Sequence, residues 1–412
     1  MSQVTRRFDF EVDAVAGDAR TGTLRIGSQE LATPNLFPVL NFYGGGTERS
    51  VFGGGIHRTI KEFMIGADRI GGGDYSEYFD CTMTSVASLT DYNITHERYQ
   101  SYLDTPIKER ELFEPYNGTL FVDSGGFKFL DGGDIDGSDF EVDIDQEKIY
   151  EIQKKMGADI ILNLDHPIAP DDSHEQRMEK AEKTALNIAE FLDLSSDFDG
   201  ARYLTLHGYN YSMMDAFLEK ITSIVDTREI HEAFDGVALG SLVPKKDNRE
   251  LLIQAVTDCQ EVLQDWGFDD MPLHVLGISS RAVPLLAALG VDSFDASSYL
   301  HNAINGKYYK SMMESVPISE VSFENCDCPV CSSELHRQRM RGDAEYQKDI
   351  YGAVAVHNLI IQKQELATIR DRIRAEGTAP LREYIESTVA RDKQTRQVAH
   401  KVVNQSLGGY FQ

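Results

Sequence analysis

Positive charge is scarce in this chain. Forty Lys and Arg face 67 Asp and Glu among 412 residues, a net charge of −27, which repels polyanions on average and favours solubility. The shortage is uneven: from Ser332 to Gln412 there are 13 basic and 10 acidic residues, leaving the remainder at −30. A polyanion contact is therefore expected near the C-terminus. The plainer alternative is a pair of solvated helices on a protein whose acidity answers high salt. Long apolar runs are missing too. The stretch from Ala282 to Leu289 contains Pro284 and falls far short of the roughly 18 residues that cross a bilayer. After Arg6 and Arg7 the start alternates apolar and charged residues, with no apolar core of a signal peptide. A cytoplasmic protein without membrane contact is expected. Five cysteines exclude a disulfide scaffold at this length. What remains, 41% apolar and 26% charged residues, suffices for one large globular domain or two ordinary ones.

Short apolar segments recur between helical stretches: Leu120 to Val122, Ile160 to Leu164, Tyr203 to Leu206, Gly236 to Leu239, Leu273 to Leu276 and Val291 to Phe294. Their lack of alternation suits parallel strands covered on both faces. Ser173 with Gln176 forms a capping box, after which Met178, Ala181, Ala185, Ile188 and Leu192 recur at helical spacing to Leu194. Helices at Met213 to Val225, Asn248 to Trp266 and Ser280 to Ala288 follow the same scheme. Repeated units of this kind predict an α/β barrel or a doubly wound sheet.

Just past the strand ends stand Asp123 and Ser124, Asp165 and His166, His207, Gly240 and Ser241, Gly277 and Ser279, and Asp295. Singly, each is as readily a helix cap or turn former. Six strands aiming polar groups the same way favour a barrel, whose active site is built on that edge.

Asp123 and Asp295 are paired carboxylates of the kind glycosyl chemistry needs, one attacking the anomeric carbon and one moving protons. Asp165 suits the N–H and amine edge of a base. Gly125 and Gly126 would let backbone approach a flat ligand, with Phe127 stacking on it. Cys326, Cys328 and Cys331 lie within six residues, a density that in a cytosolic protein signals structural zinc. Spacing leaves the fourth ligand open between His336 and His357. Cys81 and Cys259 are isolated and read as inert. The glycine triplets at 44–46, 53–55 and 71–73 open no nucleotide-binding motif and read as loops over a barrel mouth. Lys245 with Lys246, and Lys307 with Lys310, are small basic spots that read as solvated loop charge or phosphate contacts. A metal-dependent barrel hydrolase using His166, His207 and Asp295 is a weaker alternative, because the metal-like cluster lies outside the strands.

These residues together resemble the tRNA-guanine transglycosylases, over nearly the whole chain. Phe8, Phe10, Gly17, Arg20, Gly22, Leu24 and the run from Thr33-Pro34 to Pro38-Val39 are similar to that family's N-terminal hairpin and first strand. Asp123-Ser124-Gly125-Gly126-Phe127 resembles its base-binding loop, the run from Gln153 to Asp165 its next strand, and Phe294-Asp295 its nucleophile segment. The cysteine triplet with His357, 26 residues beyond Cys331, matches its zinc signature and selects His357 over His336.

The resemblance implies a (β/α)8 TIM barrel with a zinc-binding subdomain inserted after the last barrel strand. The expected division is a catalytic barrel with its hairpin over 1–310, a zinc-binding subdomain over 311–360, and C-terminal helices over 361–412. It further implies zinc on Cys326, Cys328, Cys331 and His357, Asp295 as nucleophile and Asp123 as acid and base. Asp165 would read the guanine edge and Phe127 and Leu276 would flank the ring. Ser124, His207, Gly240, Ser241, Leu242 and Gly277 would line the pocket. The substrates would be a guanine in a nucleic acid and a free 7-deazaguanine, of queuine or archaeosine type, and a homodimer through the zinc subdomain is compatible. Departures leave the details open. His207 and Ser241 stand where bacterial members carry Gln and Gly, and the arginine-rich segment after the nucleophile is replaced by Tyr299 to Gly306. Archaeal tRNA members usually carry further C-terminal RNA-binding domains, for which this sequence leaves no room, whereas DNA-modifying relatives lack them. Both tRNA and DNA therefore stay open as the polymer, with a non-catalytic partner subunit as a third reading against which the presence of both aspartates speaks.

Overall fold

The computed structural model describes residues 8–42, 56–66, 75–92, 94–111, 113, 116–129, 135–245, 248–278, 281–389 and 393–408. The three glycine triplets, Lys246 and Ser279 lie outside the described residues.

The chain opens with a three-stranded antiparallel sheet, β1 (Phe8–Ala16), β2 (Ala19–Ile26) and β3 (Gln29–Thr33). Gly17, at φ 67°, makes the first turn in the left-handed region that glycine enters freely. Next come β4 (Asn35–Pro38), α1 (Ile56–Met64), β5 (Cys81–Ser85), α2 (His96–Leu103), β6 (Thr119–Asp123), α3 (Gly126–Phe129), the short pair β7 (Ile135–Asp136) and β8 (Glu141–Val142), α4 (Gln146–Met156) and β9 (Ile160–Leu162). There follow α5 (His174–Leu194), β10 (Ala201–His207), α6 (Tyr211–Thr222), α7 (Thr227–Ala233), β11 (Gly236–Gly240), α8 (Arg249–Trp266), β12 (Leu273–Val275), α9 (Val283–Ala288), β13 (Ser293–Ala296) and α10 (Ser298–Ile304). A hairpin of β14 (Lys307–Ser311) and β15 (Glu314–Pro317) leads into α11 (Pro329–Ser332) and α12 (Glu334–Met340). The long α13 (Gln347–Arg374) and the terminal α14 (Ala379–Tyr384) and α15 (Lys393–Ser406) complete the order.

Eight strands form one parallel sheet in the order β4-β13-β12-β11-β10-β9-β6-β5. Its ends meet through one bridge, Val39 to Met83, so the expected (β/α)8 barrel is the fold. The six expected strands are all present, and β10 is buried along its whole length. The expected capping box of Ser173 and Gln176 forms at the start of α5. Asn248 caps α8, which Gly267 ends in the left-handed conformation.

Two apolar cores result. The larger lies between strands and helices. The smaller fills the barrel, where Phe37, Phe121, Leu162 and Tyr203 meet Leu24, Ile26 and Leu31 of the N-terminal sheet. That sheet therefore stoppers the end of the barrel at which the strands begin. Where β4 meets β5, the Lys363 ammonium of α13 bonds Asn35 at 2.8 Å and Asp80 at 2.5 Å, while Asn35 also bonds Asp80. This buried clasp sits at the seam closed by a single bridge. Of the isolated thiols, Cys81 and Cys259 are both fully buried.

Candidate active site and metal centre

The strands deliver their polar residues to the opposite, C-terminal end of the barrel. There a cavity of about 480 Å³ is lined by Asp123, Gly126, Phe127, Asp165, His207, Gly240, Ser241, Leu276, Gly277 and Asp295. Nine of the eleven expected pocket residues, all but Ser124 and Leu242, thus converge at the ends of β6, β9, β10, β11, β12 and β13. Two others are turned away. Ser124 is fully buried and donates to Asp165 Oδ1 at 2.9 Å, and the Leu242 side chain is buried in the core. Sequence reading missed Thr84, Ser85, Lys180 and Pro244 in the lining. Lys180 sits on α5 paired with Asp172, and nothing but its helical register could have placed it there. Another cavity, about 400 Å³ between α5, α6 and α8, holds one carboxylate, Asp258, which accepts the backbone N–H of Tyr211.

The three carboxylates of the main cavity differ in their surroundings. Burial, aided by the charges of Asp165 and Asp295, pushes Asp123 up to about 7, since each factor disfavours ionisation. Asp165 is the more completely buried of the two by exposure, yet its contacts with His207 and Ser124 outweigh that penalty and hold it below the usual carboxylate range. Asp295 Oδ1 accepts the Gly277 N–H at 2.5 Å. One buried group is thus poised to carry a proton near neutrality while its neighbour stays ionised.

Ser241 and His207 form a relay behind Asp165. The Ile168 N–H donates to Ser241 Oγ at 3.0 Å, and Ser241 Oγ lies 3.0 Å from His207 Nδ1. His207 Nε2 is 2.9 Å from Asp165 Oδ2, an ion-pair distance without good hydrogen-bond alignment. Both imidazole nitrogens therefore face protein atoms. Ser241 sits at φ 65°, the one non-glycine with positive φ among the described residues, a strain that its two contacts hold in place.

The glycines before Phe127 are tightly surrounded by protein atoms. A Cβ on Gly126 would lie 2.5 Å from Asp165 Oδ1, and one on Gly125 would lie 2.6 Å from Ala87. Neighbouring protein atoms alone therefore require glycine here, and Gly126 also lines the cavity. Phe127 itself is 84% exposed at the cavity rim.

Away from the barrel mouth, the sulfurs of Cys326, Cys328 and Cys331 stand 3.8, 3.3 and 3.5 Å from His357 Nδ1. The four ligand atoms lie within 4.8 Å of one another and can hold a metal ion. His357 comes from α13, and its Nε2 donates to the Tyr309 carbonyl at 2.8 Å. The Tyr308 ring stacks on it at 3.8 Å. His336, the other candidate, is buried against Phe63 and Tyr75 with no hydrogen bond to either nitrogen. Of the basic C-terminal residues, Arg337 pairs with Glu334 and Arg341 with Glu324 at the surface.

No described helix is long and apolar enough to cross a membrane. The sequence model of a family described as queuine tRNA-ribosyltransferase matches residues 85–392. A tRNA-guanine(15) transglycosylase of Pyrococcus abyssi is 25% identical over 91% of this chain and 56% of its own length. That of Haloarcula marismortui is 26% identical over 66% of this chain and 52% of its own, and that of Sulfolobus acidocaldarius 24% identical over 97% and 70%. The chain spans about half the length of the first two.

Proposed function

The chain belongs to the queuine tRNA-ribosyltransferase family, and from that premise we propose that it exchanges a guanine of tRNA for a free 7-deazaguanine in the cavity bounded by Asp123, Asp165 and Asp295. The observation that carries the reading is the convergence of Asp123, Asp165 and Asp295 on one cavity at the C-terminal end of the barrel. The relatives named above act on tRNA by their printed descriptions, which favours that polymer over DNA.

In this reading Asp295 attacks C1′ of the target nucleotide through Oδ2. The C1′–N9 bond breaks, its electron pair passes to the departing guanine, and Asp123 supplies the proton that guanine takes. The strand is left as an ester on Asp295. The incoming base gives its ring proton to Asp123 and attacks C1′, the C1′–Oδ2 bond breaks, and the Asp295 carboxylate is restored. Two displacements give retention. Asp165 accepts the N–H and amine of the bound base, and Phe127 and Leu276 flank its ring.

The metal centre is proposed to hold zinc. Zn–S bonds of about 2.3 Å and Zn–N bonds of about 2.0 Å set tetrahedral ligands roughly 3.5–3.8 Å apart, close to the 3.3–3.8 Å separations from His357 Nδ1. The Tyr309 carbonyl on the second imidazole nitrogen orients the ring as metal-bound histidines require. When bound, the ion supplies a structural cross-link between the loop after β15 and α13.

The test is incubation with radiolabelled guanine and either tRNA or duplex DNA. Label in tRNA supports the reading, label in DNA alone moves the activity to the other polymer, and label in neither removes it. Asp295→Asn is expected to abolish labelling while the protein stays folded.

A further inference from the structure

His274 stands on β12 inside the barrel and is fully buried. Its Nε2 lies 3.4 Å from Asp295 Oδ1, and its Nδ1 lies 2.8 Å from the Ser293 hydroxyl. Ser293 and Asp295 are two residues apart on β13, so both side chains face the same side of the strand, and β12 pairs with β13 at His274 and Ser293. Edge contacts from Phe37 and Phe121, centroids 5.8 and 5.0 Å away, fix the ring. A lone imidazole in such an interior would usually be packing. Here both nitrogens are committed, one of them to the carboxylate proposed to attack.

We propose that His274 is a positioning residue for Asp295, and this rests on the base-exchange reading given above. When the Ser293 O–H donates to Nδ1, the ring proton sits on Nε2 and points at Asp295 Oδ1. With the Gly277 N–H on the same oxygen at 2.5 Å, Oδ1 carries two donors. Oδ2 makes no hydrogen bond to a described residue and is left to form the bond to C1′. In the ester, Oδ1 becomes the carbonyl oxygen, and the same two donors draw charge onto it. The carboxylate then leaves more readily when the incoming base attacks. His274 thus assigns the two oxygens different tasks, in an apolar surround where a fixed donor acts strongly.

The experiment compares His274→Phe, which keeps volume without a donor, with His274→Gln, whose amide can reach the Nε2 position. Guanine exchange into tRNA is the assay, and a thermal melt confirms folding. For His274→Phe we expect kcat to fall on the order of tenfold to a hundredfold, less than for loss of a short oxyanion donor because the contact is long. KM for tRNA should change less than about twofold, and His274→Gln should recover most of the rate. A His274→Phe kcat within twofold of the unaltered protein, or equal loss in both variants, overturns the proposal. Nitrogen-15 spectra of labelled histidine supply a readout independent of turnover. They should show a proton on Nε2 whose signal moves in Asp295→Asn; a bare Nε2, or no movement, also overturns it. If the unaltered protein labels neither tRNA nor DNA, base exchange itself fails, and the spectra alone decide whether His274 donates to Asp295.

Discussion

Asp123 owes its chemistry to its surroundings. A proton held with an affinity near pH 7 is available to a departing guanine below that value and lost above it. Label incorporation measured against pH should therefore fall as pH rises through about 7, and a rate flat from pH 6 to 9 would remove Asp123 as the acid. Gly126→Ala should push Asp165 aside, since the added carbon would meet its carboxylate. We expect calorimetry to show guanine affinity reduced by at least about tenfold, the scale of a lost charge-assisted hydrogen bond, and the melting temperature to fall, since the added carbon also meets the Asp165 backbone carbonyl at 2.6 Å. Asp123, Asp165 and Asp295 were legible in the sequence because each interrupts or follows an apolar run at a strand end. His274 was not, because a histidine inside a buried strand looks the same whether it packs or donates. At Gly126 the sequence shows that space is required but not that the Asp165 carboxylate is one of the groups that needs it.

Helices with side-chain caps could be read directly, as Ser173 and Asn248 bear out, because the capping group lies next to the segment it starts. The strand β5 escaped notice. Its Thr82 and Thr84 look like a solvated alternation, yet both are buried, and Thr82 shares a hydrogen bond with Tyr116 that only the tertiary fold supplies. The long α13 carries two functions that its sequence does not separate. At His357 it ties down the cysteine loop, and His357→Ala should release the metal, measurable as less than about a tenth of the zinc per chain found in the unaltered protein. Normal zinc in that variant and its loss in His336→Ala would reverse the ligand assignment. At Lys363 the same helix clasps the seam between β4 and β5. Lys363→Met strips the partner from Asp80 and should cost about 1–2 kcal/mol in denaturant unfolding, less than a fully buried pair because the Asp80 side chain is about a third exposed. Lys363 holds Asp80 below the usual carboxylate range in spite of burial. The clasp therefore contributes fully above about pH 4, and its contribution should fade as the solution is acidified through the lowered value. A variant whose stability matches the parent at pH 7 would show that the clasp is dispensable.

Across the whole molecule, the barrel was legible because six strands repeat one arrangement, apolar length followed by polar end. The distribution of charge was less so. Within the locally basic C-terminal stretch, Arg337 and Arg341 pair with Glu334 and Glu324, a matter of which acids lie nearby in space. The N-terminal sheet has a consequence for traffic. With Leu24, Ile26 and Leu31 driven into the barrel as a stopper, the described chamber communicates with solvent at one end, the end to which the proposed exchange would bring the polymer. Outgoing and incoming bases then share a single doorway, and the vacated seat holds one at a time. Exchange becomes a turnstile: guanine should compete directly with the incoming base, raising its apparent KM in proportion to guanine concentration while the limiting rate stays fixed. A limiting rate that falls as guanine is added would mean that the two bases pass through separate doors.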